Sequence, residues 1–365
     1  MRIVLITPWF PTNARPSSGL FVWRDALALA ERHDVRVLHL DWNDDTATLP
    51  DVLASGIDAS RVQLSRINPA AYGQARSFVE EATRGADVVH THALPVLVPF
   101  ANRRPAPAGA SWVHTEHWSG VATDDRLPLA QRAMRRLLLP QLGRPDVVVV
   151  AAQRLADAVR QFRTSRVDIV PNVVPSGGPL VEAPRDPGRL RLAGVGGLIA
   201  GKDPLMALAT VGALRDKGVT ADLTWVGDGP LRQPMMTAAE RAGLTERLTL
   251  AGTLPTSAVY QTLDDADMFL LPTLTDFFCV SVAEALTRGR PIVSGANTGA
   301  RDYAGAQVAE FVATQSPQAY ADAVIALRER TKTMTAADIA ATVEGKFTPE
   351  AVAARLTEVY ESLRA

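Results

Sequence analysis

The stretch Leu270-Leu271-Pro272-Thr273-Leu274-Thr275-Asp276-Phe277-Phe278-Cys279-Val280-Ser281-Val282-Ala283-Glu284-Ala285-Leu286 reads as a strand, then a loop, then a helix. Its two carboxylates, Asp276 in the loop and Glu284 in the first turn of the helix, stand eight residues apart. Both can then face the crevice at the strand's end, where a helix N-terminus offers unpaired N–H groups to an anion such as a sugar nucleotide. A plainer reading stands beside it. Ser281-x-x-Glu284 fits a capping box, in which Glu284 only satisfies the Ser281 N–H.

The same alternation of apolar run and helical stretch extends in both directions. The runs show no polar–apolar alternation, the pattern of parallel strands covered on both faces. In the first half the expected strands are Arg2–Thr7, Val35–Leu40, Ala86–Thr91, Ser111–Thr115, Asp146–Ala151 and Val167–Val170. The second half repeats the scheme at Leu190–Val195, Ala221–Val226, Arg247–Leu250, Asp267–Leu271, Pro291–Ser294 and Val308–Val312. The fold class expected is α/β, two doubly wound Rossmann-like domains facing across a cleft. Pro171-Asn172-Val173-Val174-Pro175-Ser176-Gly177-Gly178-Pro179, with Pro184 and Pro187 beyond, suits a linker better than a packed element. The expected division is 1–172, a linker at 173–189, 190–348, and a last helix at 349–365 that can cross back to the first domain.

Composition narrows the classes. A chain of 365 residues with 47% hydrophobic and 21% charged residues can bury two ordinary cores. A net charge of −1 gives no long-range field for nucleic acid or anionic lipid, so any anion site must be local. Cys279 is the only cysteine, which excludes an internal disulfide and a multi-thiolate metal site. The opening MRIVLITPWF is too short for a secretory signal, and the longest apolar run, 94–101, is broken by Pro95 and Pro99. The expected location is cytoplasmic, with no membrane association.

The two halves differ in chemistry. All six histidines and five of the six tryptophans precede the linker, leaving Trp225 alone after it. Open parallel sheets bind ligands outside the carboxyl ends of their strands. Trp9, Trp42, His92, His117 and Trp118 all follow expected strand ends, whereas Trp23 and Trp112 read as helix–sheet core. Arg132, Arg135 and Arg136 alternate at helical spacing with Leu127, Leu129, Met134 and Leu137 to Leu139. An ordinary amphipathic surface helix or an interfacial helix serving a lipid acceptor would give this pattern, and the first is the plainer.

A second chemical segment, Gly194-Val195-Gly196-Gly197-Leu198-Ile199-Ala200-Gly201-Lys202-Asp203-Pro204, leaves the first strand of the second half. Glycines let backbone approach a ligand, and Lys202 can neutralise a phosphate as a compact charge. As a dinucleotide fingerprint the segment fails, since Ile199 stands at the third glycine's place, which counts against a dehydrogenase.

Together these segments resemble the retaining glycosyltransferases of family 4, which have the GT-B fold. Trp225-Val226-Gly227-Asp228-Gly229-Pro230-Leu231-Arg232 is similar to the family's V-G-D-G-P segment, Ala251-Gly252-Thr253-Leu254-Pro255 to its base-contacting loop, and Pro171-Asn172 to its linker. Asp276 and Glu284 match its E-x7-E pair. The first half matches more loosely, through 8–19 and Thr115-Glu116-His117. The resemblance implies donor binding by Glu284 on the ribose, the Leu254 backbone at the base, Lys202 on the diphosphate, and Asp276 with the backbone of Phe277, Phe278, Cys279 and Val280 near the sugar and phosphates. It also brings Gly19 and His117 to the donor, and implies no metal and no cofactor beyond the sugar nucleotide, UDP-linked by expectation.

Three positions depart from the family pattern. Gly197 replaces an arginine five residues before the lysine, Asp276 stands for glutamate, and Phe277 replaces a glycine. Arg15 and Arg301 are the candidates to supply the lost guanidinium. Without one, the chain would be slow or non-catalytic, because a lost preorganised donor costs on the order of 10²–10³ in rate. The expectation is a metal-independent retaining glycosyltransferase with His117, Lys202 and Asp276 as catalytic residues, Gly197 among the donor-site residues, and Trp9, His92 and Trp118 at a small-molecule acceptor. A nucleotide-sugar epimerase and a sugar-nucleotide-binding pseudoenzyme are the alternatives.

Overall fold

The computed structural model describes the chain apart from residues 44–47, 50–55, 66, 67, 69, 101, 102, 122–128 and 365. Contacts divide it into two compact units, Met1–Val173 with Phe347–Ala365, and Val174–Lys346.

The first unit contains β1 (Arg2–Thr7), α1 (Leu20–Ala30), β2 (Asp34–Asp41), β3 (Asp58–Gln63), α2 (Ala70–Ala82), β4 (Val88–His92), β5 (Ser111–Glu116), α3 (Leu129–Leu138), β6 (Val147–Val150), α4 (Gln153–Arg160) and β7 (Val167–Ile169). Its seven strands lie in the order β3-β2-β1-β4-β5-β6-β7 and every pairing is parallel. β3 had no counterpart in the sequence reading. Asp-Ala-Ser-Arg-Val-Gln pairs on one side only, at the sheet edge, and stays half exposed, so it lacks the apolar run by which a central parallel strand is recognised. The apolar stretch at 94–101 contains a 3₁₀ helix, Leu94–Phe100. Among the arginines of α3, Arg135 donates to the Gly120 and Val121 carbonyls, while Leu137 is 75% exposed and Leu127 lies outside the described residues.

The second unit contains β8 (Leu190–Val195), α5 (Pro204–Asp216), β9 (Ala221–Val226), α6 (Arg232–Ala242), β10 (Leu248–Gly252), α7 (Thr256–Asp264), β11 (Met268–Leu271), α8 (Val280–Thr287), β12 (Ile292–Gly295), β13 (Ala309–Val312), α9 (Pro317–Arg330) and α10 (Ala336–Ala341). Its order is β10-β9-β8-β11-β12-β13, again parallel throughout. The proline- and glycine-rich stretch after Val173 is not a bare tether. The buried Arg288 guanidinium pairs with Asp264 at 2.7–2.8 Å and also donates to the Gly178 and Pro179 carbonyls, and Arg290 donates to Val181. Two buried arginines thus find enough acceptors to be tolerated, and linker carbonyls are among them.

The last helix, α11 (Pro349–Glu361), belongs to the first unit, where Val352, Ala353, Leu356, Val359 and Tyr360 join the core of α1 and the central strands. Asp25 of α1 is 6% exposed; its Oδ1 has no partner among the described residues, and its carboxyl takes a backbone hydrogen bond from Val173. Burial outweighs Arg24 and that hydrogen bond and pushes its pKa up from 3.8 to about 8. A carboxyl raised in the folded state favours folding only while protonated. Stability should therefore fall by up to about 1.4 kcal/mol per pH unit as pH rises through the window from 3.8 to 8. Urea unfolding of Asp25→Asn across that window should show the decline largely removed; an unchanged pH profile would mean Asp25 ionises freely in the fold.

Candidate active site

In a doubly wound sheet the crevice opens where neighbouring strands send their connections to opposite faces. In the second unit that point lies between β8 and β11. The loops leaving these two strands are the two chemical segments, and they are tied together. Leu274 N–H and Thr273 Oγ1 both donate to the Gly201 carbonyl, at 2.9 and 3.0 Å. The Lys202 ammonium pairs directly with the Asp276 carboxylate. Burial works against the charge on Lys202, but Asp276, the Cys279 sulfur and the ion-pair hydrogen bond outweigh it, and its pKa rises above the ordinary lysine value. A permanent cation is thereby held at the switch point.

The other oxygen of Asp276 accepts Cys279 N–H at 3.0 Å, and the Asp276 backbone bridges to the Thr298 segment. Cys279 then adopts the left-handed conformation, φ 63°, and α8 starts at Val280. The buried Tyr303 hydroxyl bonds the Phe278 and Cys279 carbonyls, each at 2.9 Å. The Val280 and Ser281 N–H groups, first in the helix, lack intrahelical acceptors and suit an anion. These contacts correct the capping reading: Ser281 lies inside α8 and no side chain caps the helix. Glu284 is in its second turn, buried, on the face of Val280. The capping box of the second unit is instead Thr335 with Asp338, at α10.

The V-G-D-G-P segment supports the β8 loop from the next strand. A Cβ on Gly227 would stand 2.1 Å from the Gly196 carbonyl oxygen, and Trp225 Nε1 donates to that same oxygen at 2.8 Å. Leu254 lies in the loop after β10, two strands from β8. Gly197 is open: a Cβ there would meet nothing nearer than 3.7 Å. Neither proposed replacement for its arginine is idle. Arg15, in the first unit, pairs with buried Asp41 at 2.8 Å, and the Arg301 guanidinium lies over Phe311.

In the first unit the switch point lies between β1 and β4. Trp9 follows β1 and packs edge-on against Phe21; Gly19, at φ 66°, caps α1 with no room for a Cβ, which would stand 2.1 Å from the Trp9 carbonyl oxygen. Trp42 lies against Tyr72. His92 ends β4, and His117 and Trp118 follow β5. Sequence reasoning gave no role to Glu116, yet this fully buried carboxylate organises the loops. It accepts the N–H groups of Leu94, His117 and Trp118 at 3.0, 2.8 and 2.6 Å. Its place between Thr115 and His117 was the only signal. Trp112 is core as expected, 1% exposed, with Nε1 on Thr91.

The histidines behind this edge are largely engaged. His90 bonds Tyr360 and Thr115, and His114 bonds Thr91 and Glu116. Burial first, then neighbouring histidines, lowers the pKa of His90, His92 and His117 below the ordinary range. Among the described residues no group of three or more His, Cys, Asp or Glu could hold a metal ion, and no helix is long and apolar enough to cross a membrane.

Comparison with known proteins agrees with this architecture. Residues 19–176 match the model described as Glycosyltransferase Family 4, and 189–330 that described as Glycosyl transferases group 1. The chain belongs to the GT-B glycosyltransferases of family 4. A 2-deoxystreptamine N-acetyl-D-glucosaminyltransferase of Streptomyces fradiae is 27% identical over 279 residues, 69% of this chain and 66% of that one. A 2-deoxystreptamine glucosyltransferase of Streptomyces kanamyceticus is 33% identical over 88 residues, 24% of this chain and 23% of that one. The chain thus spans just under two thirds of the first relative and about a quarter of the second. In fold it is similar to Anabaena HepE in complex with UDP and glucose, with a TM-score of 0.77 at 16% identity covering 99% of this chain and 100% of that one. Sucrose-phosphate synthase from Thermosynechococcus elongatus gives 0.76 at 18%, covering 100% and 99%.

One consequence of the site concerns its thiol. Burial, reinforced by Asp276, pushes Cys279 up to about 12, so no appreciable thiolate forms near neutrality. The native protein should not react with a thiol-titrating disulfide reagent at pH 8, and denaturant should release one thiol. Rapid native reaction would place Cys279 at the surface.

Proposed function

We propose that the chain is a metal-independent retaining glycosyltransferase that moves a sugar from a nucleoside diphosphate, UDP by expectation, to a small polyhydroxy acceptor. The observation that supports this most is the Lys202–Asp276 pair at the switch point of the second sheet, beside the free N–H groups of α8. A cation and a helix N-terminus suit the charge that gathers on a departing diphosphate, the species that most needs stabilising as the glycosidic bond breaks. The bond from sugar C1 to phosphate oxygen breaks, the bond from C1 to acceptor oxygen forms on the same face, and the acceptor's proton leaves with the diphosphate. Glu284 holds the ribose and the Leu254 backbone the base. Trp9 and Trp118 offer flat faces at the strand ends of the first unit, where an acceptor ring would stack. The names of the two Streptomyces relatives favour an aminocyclitol as that acceptor.

The epimerase alternative loses support, since it requires an acid–base set and the first unit's histidines have their ring nitrogens engaged or their pKa values lowered. The pseudoenzyme alternative rests on Gly197.

Thermal shift and steady-state kinetics test the reading. UDP should raise the melting temperature without Mg²⁺, by roughly 2.7 kcal/mol of stabilisation at a hundredfold excess over the dissociation constant. Lys202→Ala should lower kcat on the order of 10²–10³ with little change in stability. Glu284→Gln should weaken UDP while folding holds. Gly197→Arg, which the open space admits, should fold normally and turn over at least as fast as the parent. A protein that no nucleoside diphosphate stabilises would refute the donor site; UDP binding with no transfer or donor hydrolysis, even in Gly197→Arg, would leave a pseudoenzyme.

A further inference from the structure

His92 and His117 meet in a way that fixes which nitrogen of each ring carries the proton. His92 Nδ1 is 3.3 Å from His117 Nε2, the ring planes are within 5° of parallel, and the centroids are 5.6 Å apart. The centroid separation exceeds the N···N distance by about the two ring radii, so the rings lie edge to edge in one plane. That is the geometry of an N–H···N hydrogen bond, not of a face-to-face stack. Both rings have lowered pKa values and are neutral at ordinary pH, so a single proton sits between them.

The far side of His92 decides who donates. The ring is 1% exposed, and its Nε2 is buried with no hydrogen-bond partner among the described residues. A buried N–H left without an acceptor is rarer and costlier than a bare acceptor nitrogen. His92 Nε2 is therefore the bare nitrogen, its proton is on Nδ1, and it donates to His117 Nε2. His117 must then carry its own proton on Nδ1, which makes no hydrogen bond within the described residues of the unit. The rest of the frame allows no escape. His90 lies against His92 at 4.2 Å with both nitrogens engaged, Phe21 packs on His117 at 4.2 Å, and Glu116 holds the His117 backbone.

We propose that His92 is a positioning residue that holds His117 as its Nδ1–H tautomer, so that a neutral imidazole presents a hydrogen-bond donor at the carboxyl end of β5. The proposal rests on the reading that this strand end meets a substrate sugar. Its consequence is chemical. A ring whose free nitrogen already bears a proton bonds a sugar oxygen as donor and cannot take a proton from a hydroxyl, so His117 recognises its sugar without acting as a base.

The test uses full-length protein labelled with ¹⁵N-histidine. Long-range ¹H–¹⁵N correlation distinguishes the two neutral tautomers, with His117→Asn assigning the signal. The wild type should show His117 as Nδ1–H. His92→Leu, folded by circular dichroism, should release it to the Nε2–H form favoured in water. His92→Asn, whose amide can donate from the place of Nδ1, should restore the first form. In steady-state transfer, His92→Leu should lower kcat by about tenfold with donor KM nearly constant, and His92→Asn should recover most of it. An Nε2–H tautomer in the wild type, or one indifferent to His92→Leu, overturns the proposal. Tautomers as proposed, with His92→Leu and His117→Ala both turning over as the parent, would instead overturn the reading of this strand end as sugar-facing.

Discussion

A parallel strand can be followed only by a crossover, so in a parallel sheet every connection of the same sense leaves from the same edge. Both units obey this constraint, and the chemistry of the molecule depends on it. Gly196 to Lys202 and Pro272 to Cys279 are far apart in sequence, yet β8 and β11 are paired neighbours and deliver both loops to one edge. Lys202 and Asp276 then have only to meet. In the first unit the same rule sets the residues after β1, β4 and β5 along one edge, among them Trp9, His92, His117 and Trp118.

The two edges are held by different means. In the second unit the fixing is electrostatic and close-packed: an ion pair, loop hydrogen bonds onto Gly201, and a glycine at 227 where any side chain would strike the Gly196 carbonyl. In the first it is a chain of buried neutral groups running from Tyr360 through His90 to Thr115, with Glu116 collecting three backbone N–H groups. Neutral rings in fixed tautomers suit recognition of uncharged sugar hydroxyls, whereas a permanent cation and helix N–H groups suit a diphosphate.

Much of this was legible from residue types. Central parallel strands announce themselves as unbroken apolar runs, and the glycines, Lys202 and the Asp276/Glu284 spacing could be read directly. What escaped did so for physical reasons. β3 is a half-exposed polar edge and carries no such run. Ser281-x-x-Glu284 satisfies the capping pattern, but the bond from Cys279 N–H to Asp276 turns the chain two residues early and starts the helix at Val280. Glu116 has no motif, because most of what its carboxylate holds is backbone N–H, which leaves no residue type to read. The linker carbonyls bound by Arg288 and Arg290 are equally invisible, since backbone acceptors leave no trace in a sequence.

The central claim is that the β8 and β11 loops of the second unit form one nucleoside-diphosphate site. Hydrogen–deuterium exchange of the whole chain with and without UDP tests it most directly. The account predicts slowed exchange in peptides spanning 194–203 and 272–287, and loss of that protection in Lys202→Ala. Protection confined to other segments, or equal protection in Lys202→Ala, would contradict it.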